Sequence, residues 1–129
     1  MTATDTNVLV RILTSDHPKQ ALAARTLFAS GPIWIAKTVV LETAWVLRSA
    51  YGFDEAAFCA AFAKLLGLEN VIAEDAQGVA AALRLAANGL DFADALHLGS
   101  SPPGVPFASF DKALIRRAKR AGIAGVTVP

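Results

Sequence analysis

The sequence predicts an α/β fold in which helices cover both faces of a mainly parallel sheet. Short β-forming runs alternate with longer runs of helical periodicity along the chain, and the connections between them are short. Such alternation favours parallel strands joined by right-handed crossovers. Hydrophobic residues make up 54% of the 129 residues and charged residues only 18%, which excludes a disordered chain and predicts a well-buried core. Because no linker or repeat interrupts the pattern, residues 1–129 are expected to form a single domain.

The first half of the chain is predicted to contain two strands and three helices. The run TAT at residues 2–4 leads through DTN into the helical segment LVRIL, and PIWIA at 32–36 is typical of a buried strand. A helix is predicted to follow from Thr38 to about Tyr51, with Thr38 as its N-cap. Residues 53–67, FDEAAFCAAFAKLLG, have apolar positions at helical spacing and a helix stop at Gly67.

The second half repeats the alternation with shorter elements. NVIA at 70–73 is the third predicted strand, and the helix that follows it ends at Asn88-Gly89. DFADALHLGSS is a short helix closed by the turn SPPG. The remaining elements are a fourth strand in VPFASF, a helix over DKALIRRAKRAG and a terminal strand in GVTVP.

Membrane and disulfide-stabilised classes are excluded by the sequence. No apolar run reaches the roughly 20 residues that span a bilayer, and no basic region precedes the N-terminal apolar residues as it does in a signal peptide. A cytoplasmic location is therefore expected. Cys59 is the only cysteine, so the chain holds neither an internal disulfide nor a zinc-binding cysteine cluster. Its alanine-rich helical setting predicts a small buried residue.

Cations cluster near the C-terminus although the net charge is only +1. They form either a solvated helix face, with charges that suit the last turn of a helix, or an edge that attracts phosphate. Arg11, on the first helix, has two interpretations of its own: a contact with substrate phosphate, or an ion pair with a nearby acid. The clustered residues are Arg116, Arg117, Lys119 and Arg120.

Two aspartates directly follow predicted strands. Asp5 follows the first strand and Asp111 follows the fourth, in FASFD. Ligands of open parallel sheets bind beyond the carboxyl ends of the strands, so the two carboxylates would meet if these strands are neighbours. The alternative is that each aspartate caps the helix that begins beside it.

Two further acids lie in apolar helical stretches. Glu42, in VVLETAWVL, shares a predicted helix face with Trp45 and Val46, and burial of an unpaired charge costs roughly several kcal/mol. Asp94 is also surrounded by apolar residues. Asp91 is expected to be the N-cap of that helix, with Asp94 in its first turn. Capping accounts less well for the apolar surroundings of Asp94, so both Glu42 and Asp94 call for a compensating partner.

A metal ion would supply that compensation. Asp5, Glu42, Asp94 and Asp111 offer only hard oxygen ligands, with no histidine or thiol implicated, which favours Mg²⁺ or Mn²⁺ over zinc. A divalent cation would also cancel the mutual repulsion that otherwise raises carboxylate pKa values. The sequence therefore predicts an acidic metal site, on condition that the four side chains converge.

The motifs around these acids resemble those of PIN-domain ribonucleases. They are DTNVLVR at 5–11, VVLETAWVL around Glu42, DFADALHL at 91–98 and FASFDKAL at 107–114, in the order and at the spacing of the family. The similarity is greatest to the toxin components of VapBC-type toxin–antitoxin systems and covers nearly the whole chain. SPPGVPFASF is more proline-rich than is usual there, which would alter the loop before Asp111.

The resemblance implies a three-layer α/β/α sandwich with a mainly parallel five-stranded, PIN-like sheet. It implies catalytic, metal-binding roles for Asp5, Glu42, Asp94 and Asp111, and it suggests that Asn7 and Ser109 orient these ligands. Asp91 is a cap first and an accessory acid second, and His97, outside the motif, is expected to be a packed or surface residue.

The implied activity is that of an endoribonuclease toxin dependent on Mg²⁺, or on Mn²⁺, with a cognate antitoxin as partner. Arg11 and the C-terminal cations are the candidate RNA contacts. The apolar faces of the helices at 54–66 and 76–87 predict a homodimer, which would also widen the basic groove.

Two other functions stay open from the sequence. An Asp-dependent phosphohydrolase would use Asp5 as nucleophile, but Asn7 stands where that class usually has a second aspartate. A catalytically silent PIN-like scaffold would bind RNA or protein without cleavage, and the presence of all four acids counts against it.

Overall fold

The computed structural model describes residues 1–129, which form two compact units, Met1–Ala76 and Gln77–Pro129. The fold is α/β, as expected, with seven helices and five short strands whose pairings are all parallel. The strands form a three-stranded sheet and a separate two-stranded sheet rather than one five-stranded sheet. Several strands are only two residues long, so each offers few backbone groups for a second neighbour. The expected single domain stays a prediction.

The first unit is built on a parallel sheet in the order β1-β2-β3. The central strand buries both of its isoleucines, Ile33 and Ile35, as the apolar run PIWIA predicts. Asp5 and Glu74 follow the carboxyl ends of the two outer strands. The elements of this unit are β1 (Thr2–Ala3), α1 (Thr6–Thr14), α2 (Pro18–Ser30), β2 (Ile33–Ile35), α3 (Lys37–Tyr51), α4 (Glu55–Leu66) and β3 (Val71–Ala73).

Helix packing supplies the core of the first unit. α1 packs against α2 and α3, and α4 packs against α3 and β3. Leu9, Val40 and Leu47 are fully buried at these contacts. Phe58 and Phe62, one turn apart on α4, are also fully buried, and their ring centroids lie 4.8 Å apart. This aromatic pair accounts for the helical spacing of apolar residues in FDEAAFCAAFAKLLG.

The start of α3 differs from the sequence prediction. Thr38 was expected to be the N-cap, but the helix begins at Lys37 with Ala36 in the cap position and no cap bond from that side chain. The backbone N–H of Lys37 instead donates to Glu74 Oε1 at 2.9 Å, and Lys37 Nζ lies 3.1 Å from Asp75 Oδ2. The prediction was wrong because the cap comes from the end of β3, which local sequence does not reveal.

The second unit contains three helices and a two-stranded parallel sheet. Phe92, Ala95 and Val79 are buried in its core, together with Leu114 and Ala118 from the last helix. The last helix packs against the terminal strand. The elements are α5 (Ala76–Ala87), α6 (Phe92–Ser100), β4 (Phe107–Ala108), α7 (Lys112–Arg120) and β5 (Val126–Thr127).

α5 and α6 approach each other closely at two glycines. A Cβ added to Gly99 would lie 2.7 Å from the backbone oxygen of Gly78. Cβ atoms essentially never lie this close to another heavy atom, so the crossing in this geometry requires glycine at position 99. The close approach fixes α6, which carries Asp94, against α5.

Two further expectations can be compared with the structure. None of the helices combines the length and apolar character needed to cross a bilayer. Cys59 was expected to be buried but is only half-buried, because it flanks rather than joins the Phe58–Phe62 stripe of α4. Burial raises the pKa of its thiol, and the nearby Glu55 carboxylate raises it further.

Candidate active site

Asp5 is both the residue after the first strand and the N-cap of α1. Its Oδ1 accepts the backbone N–H of Val8 at 3.2 Å. Its Oδ2 accepts no hydrogen bond from the protein, so capping leaves one carboxylate oxygen available. The hydroxyl of Thr4, one residue earlier, is buried and has no hydrogen-bond partner.

Glu42 is exposed, so the interpretation of a buried charge was wrong. The buried stripe of α3 runs through Val40, Thr43 and Leu47, and Glu42 lies off that stripe. Its Oε1 accepts a short hydrogen bond from Thr6 Oγ1. Because Thr6 directly follows Asp5, this bond holds Glu42 beside the start of α1, so the first unit brings these two acids close together.

Asp91 is the N-cap of α6, which confirms the capping prediction. Its Oδ2 accepts the backbone N–H of Asp94 at 3.3 Å, and Asp94 lies in the first turn. His97 is exposed in the last turn of the same helix, as expected for a surface residue.

Asp94 has the most unusual environment among the acids. It is half-buried, and its carboxylate accepts no hydrogen bond from the protein. Burial raises its pKa, and the carboxylates of Asp91 and then Asp111 raise it further, while His97 and Arg117 act in the opposite direction. A half-buried carboxylate that has no donor and two acidic neighbours is suited to a cation.

Asp111 caps α7, in agreement with the capping alternative. Its Oδ1 accepts the backbone N–H groups of Ala113 and Leu114 at 2.9 and 3.1 Å. Ser109 Oγ accepts the backbone N–H of Asp111 at 3.0 Å, so Ser109 fixes the backbone that carries this acid. As in Asp5, Oδ2 accepts no hydrogen bond.

The donor chemistry fits a hard divalent cation, although the carboxylates do not form a ready-made cluster. No group of three or more His, Cys, Asp or Glu side chains has the arrangement that would hold a metal ion. The available atoms are carboxylate oxygens, which Mg²⁺ and Mn²⁺ prefer. The metal-binding roles of Asp5, Glu42, Asp94 and Asp111 stay predictions.

The cationic residues occupy two different settings. Arg11 is half-buried and forms an ion pair with Asp16 at 3.2 Å, as the second interpretation of this residue expects. α7 carries five exposed cations, Lys112 and the four residues that the sequence analysis singled out. Those four are Arg116, Arg117, Lys119 and Arg120.

Asn7 differs from the role that the resemblance suggests. Its side chain is exposed and makes no hydrogen bond to any carboxylate, so its proposed orienting role stays a prediction. It lines a cleft together with Asp5 and Arg11.

Two exposed aromatic residues beside the acids were missed by the sequence analysis. Trp45, one turn after Glu42 on α3, is 69% exposed, and Phe110, directly before Asp111, is 80% exposed. The sequence feature that could have identified them is their position next to candidate catalytic acids. Trp45 was instead interpreted as part of an apolar helix face. Exposed aromatic rings provide surfaces on which unpaired bases stack.

Comparison with known proteins gives one match. The model of the PIN domain family matches residues 3–120. The search of curated proteins and the search of solved structures each found no significant match. The family match spans all four candidate acids together with the helices that carry them, and on this basis the chain belongs to the PIN domain family.

Proposed function

We propose that the chain is a metal-dependent endoribonuclease. PIN domains are generally nucleases, and such nucleases generally use divalent metal ions. The observation that carries the proposal is Asp94: a half-buried carboxylate without a hydrogen-bond donor, near Asp91 and Asp111. A carboxylate in this setting costs stability unless a cation compensates it, and a stability cost is typical of functional sites.

Asp5, Glu42, Asp94 and Asp111 would hold the ion, Mg²⁺ or Mn²⁺. When bound, the ion supplies Lewis acidity toward the scissile phosphate and an activated water. The protein's part is to position these oxygens. Asp5 and Asp111 are held as helix caps, and Glu42 is held by the Thr6 hydroxyl. Each cap leaves its second oxygen free to bind.

RNA as substrate is supported by the exposed side chains around the acids. The cations of α7 suit the phosphates of a nucleic acid backbone. Trp45 and Phe110 are exposed and suit stacking with unpaired bases. Single-stranded RNA, such as an exposed loop, combines both features.

The biological role we propose is that of a cytoplasmic toxin held inactive by an antitoxin. An apolar cleft of about 500 Å³ between α1 and α4 supports a protein partner on the first unit. Ile12, Leu13 and Leu65 line this cleft, and Leu68 is 48% exposed at its edge. The homodimer is part of the same proposal, supported by the alanine-rich exposed surfaces of α4.

A cleavage assay tests the activity directly. Purified protein without antitoxin is incubated with a cellular RNA pool and Mg²⁺, Mn²⁺ or EDTA, and the new 5′ ends are sequenced. We expect defined cleavage sites with either metal, none with EDTA, and none with Asp94→Asn. RNA binding without cleavage under every metal condition would contradict the proposal and favour the silent scaffold. Covalent attachment of a phosphate-mimicking fluoride complex at Asp5 would favour the phosphohydrolase.

A further inference from the structure

A cleft of about 450 Å³ lies between α1 and α2, beside Asp5. One wall is aliphatic and is formed by residues such as Ala23 and Leu27. The other carries polar side chains: Asn7 and Gln20 contribute amides, and Arg11 contributes a guanidinium. The volume is within the range of pockets for small organic groups.

Arg11 is held rigidly at this cleft by three neighbours. Its Nε donates to Gln20 Oε1 at 2.7 Å, and its Nη1 lies 3.2 Å from both Asp16 Oδ1 and the Tyr51 hydroxyl. Tyr51 in turn donates to Asp16 Oδ2 at 2.7 Å, and Thr14 donates to Asp16 Oδ1 at 3.0 Å. The remaining nitrogen, Nη2, has no partner in the protein. The network therefore fixes one pair of N–H donors for an incoming group.

Charge decides what kind of group the cleft accepts. The positive charge of Arg11 is balanced by Asp16, and Asp5 adds a negative charge on the cleft wall. A phosphate group in this cleft would therefore experience no net electrostatic attraction. A neutral group with polar edges and apolar faces matches both walls, and a nucleobase has these properties.

The arrangement of donors selects among the bases. Gln20 Oε1 already accepts from Arg11, so its NH₂ group is directed outward as a donor, and Arg11 Nη2 is a donor as well. Uracil and guanine present carbonyl acceptors on their edges, whereas adenine presents an amino donor beside its ring nitrogen. We infer that the cleft between α1 and α2 is a nucleobase subsite that favours a carbonyl-bearing base, such as uracil, over adenine.

This inference rests on the proposed function for its substrate class, and it assigns roles to residues outside the acidic site. Gln20 contacts the base through its amide. Tyr51 and Asp16 are positioning residues, because they act through Arg11. The base that occupies the cleft belongs to a nucleotide next to the phosphate that Asp5 faces.

Binding without cleavage provides the test. Fluorescein-labelled pentauridylate and pentaadenylate are titrated with the full chain in EDTA, and the two Kd values are measured by fluorescence anisotropy. We expect pentauridylate to bind about tenfold more tightly, which is the effect of about one charge-assisted hydrogen bond. Equal Kd values for the two oligonucleotides, or no binding of either, would overturn the inference.

Two variants assign the selectivity to the cleft. Gln20→Leu removes the amide and should bring the ratio of the two Kd values close to one. Tyr51→Phe removes one hydroxyl that holds Arg11 and should reduce the ratio in part. Gln77→Leu, at an exposed glutamine on α5, is the matched control and should keep the full ratio. An unchanged ratio in Gln20→Leu would contradict the inference.

The binding test and the cleavage assay can fail independently, so the subsite and the proposed nuclease function are tested separately. Selective binding of pentauridylate without metal-dependent cleavage would retain the subsite and reject the nuclease. Metal-dependent cleavage with equal affinity for both oligonucleotides would retain the nuclease and reject the subsite.

Discussion

Glu42 and Asp94 occupy similar sequence settings but different physical ones. Both lie among apolar residues in helices. In the first unit, Glu42 is exposed and accepts a hydrogen bond from Thr6. In the second unit, Asp94 is half-buried, accepts none, and has two acidic neighbours. Apolar neighbours in sequence therefore do not decide the burial of an acid; helical phase and the helix ends packed nearby decide it.

The difference separates two ways of holding a carboxylate. Glu42 is positioned by a bond, and its charge is exposed to water. Asp94 is positioned by the helix, since Asp91 caps its backbone N–H at 3.3 Å, and its charge is left uncompensated. The first arrangement contributes to stability, whereas the second costs stability and prepares a binding position.

The largest expected effect is on catalysis. Asp94→Asn should reduce metal-dependent RNA cleavage by at least about 100-fold. The variant loses a proposed ligand of the cation that would stabilise transition-state charge, and loss of such stabilisation has effects of that order. Initial rates on a fixed RNA at saturating Mg²⁺ measure the loss. Ser100→Ala, at the exposed end of the same helix, is the control and should keep full activity. An Asp94→Asn variant that retains wild-type rates would remove the functional distinction between the two acids.

A steric change should disturb only the second unit. Gly99→Ala places a methyl group 2.7 Å from Gly78 O, and overpacking of this kind costs about 1–3 kcal/mol. Urea unfolding measures the change in the free energy of unfolding. Gly31→Ala is the control in the first unit, because the added Cβ meets no atom within 4 Å. Similar losses in both variants would show that the close approach of α5 and α6 is not the cause.

Removal of the carboxylate charge should stabilise the folded protein at Asp94 but not at Glu42. A raised folded-state pKa means that ionised Asp94 destabilises the fold above that pKa, and that the penalty fades as pH falls through it. Asp94→Asn should therefore raise the melting temperature at pH 7 without metal, whereas Glu42→Gln should lower it or leave it unchanged. Added Mg²⁺ should stabilise the wild type more than Asp94→Asn. A marked fall in the melting temperature of Asp94→Asn would indicate a structural role instead.

The smallest expected effect concerns Asp16. Its pKa is lowered, whereas that of Asp94 is raised. The Tyr51 hydroxyl, above all other groups, holds the pKa of Asp16 below its usual value of 3.8. The stability from this lowered pKa is present above pH 3.8 and is lost as pH falls below it. Unfolding midpoints measured from pH 6 to pH 3 should fall slightly less for Asp16→Asn than for the wild type. A steeper fall of the unfolding midpoint in Asp16→Asn than in the wild type would contradict a lowered pKa of Asp16.

Much of the fold can be predicted from local sequence pattern. Some features that the sequence analysis missed depend on contacts between residues far apart in the chain. The predicted helices and strands occur in the predicted order, but the sequence analysis missed α2 (Pro18–Ser30). The Asp91 cap and the helix end at Gly67 are confirmed. The cap of α3 was missed because Glu74 supplies it from another element. The exposure of Glu42 was misjudged because the sequence shows apolar neighbours but not which helix face is covered.

The candidate site was predictable as a set of residue types rather than as an arrangement. Position in the sequence identified Asp5 and Asp111, and both are helix caps with one oxygen unused. No local signal indicates that Tyr51 and Asp16, 35 residues apart, hold Arg11 together. Such a network depends on the packing of α1, α2 and α3, which periodicity alone does not specify.

The cap that Glu74 provides to α3 has a consequence for synthesis on the ribosome. Glu74 emerges 37 residues after Lys37, whose N–H it accepts. A nascent chain that ends before Glu74 carries α3 with its first turn uncapped, which costs a helix about 1 kcal/mol. The N-terminal end of α3 therefore becomes fully stable only after the third strand has been translated.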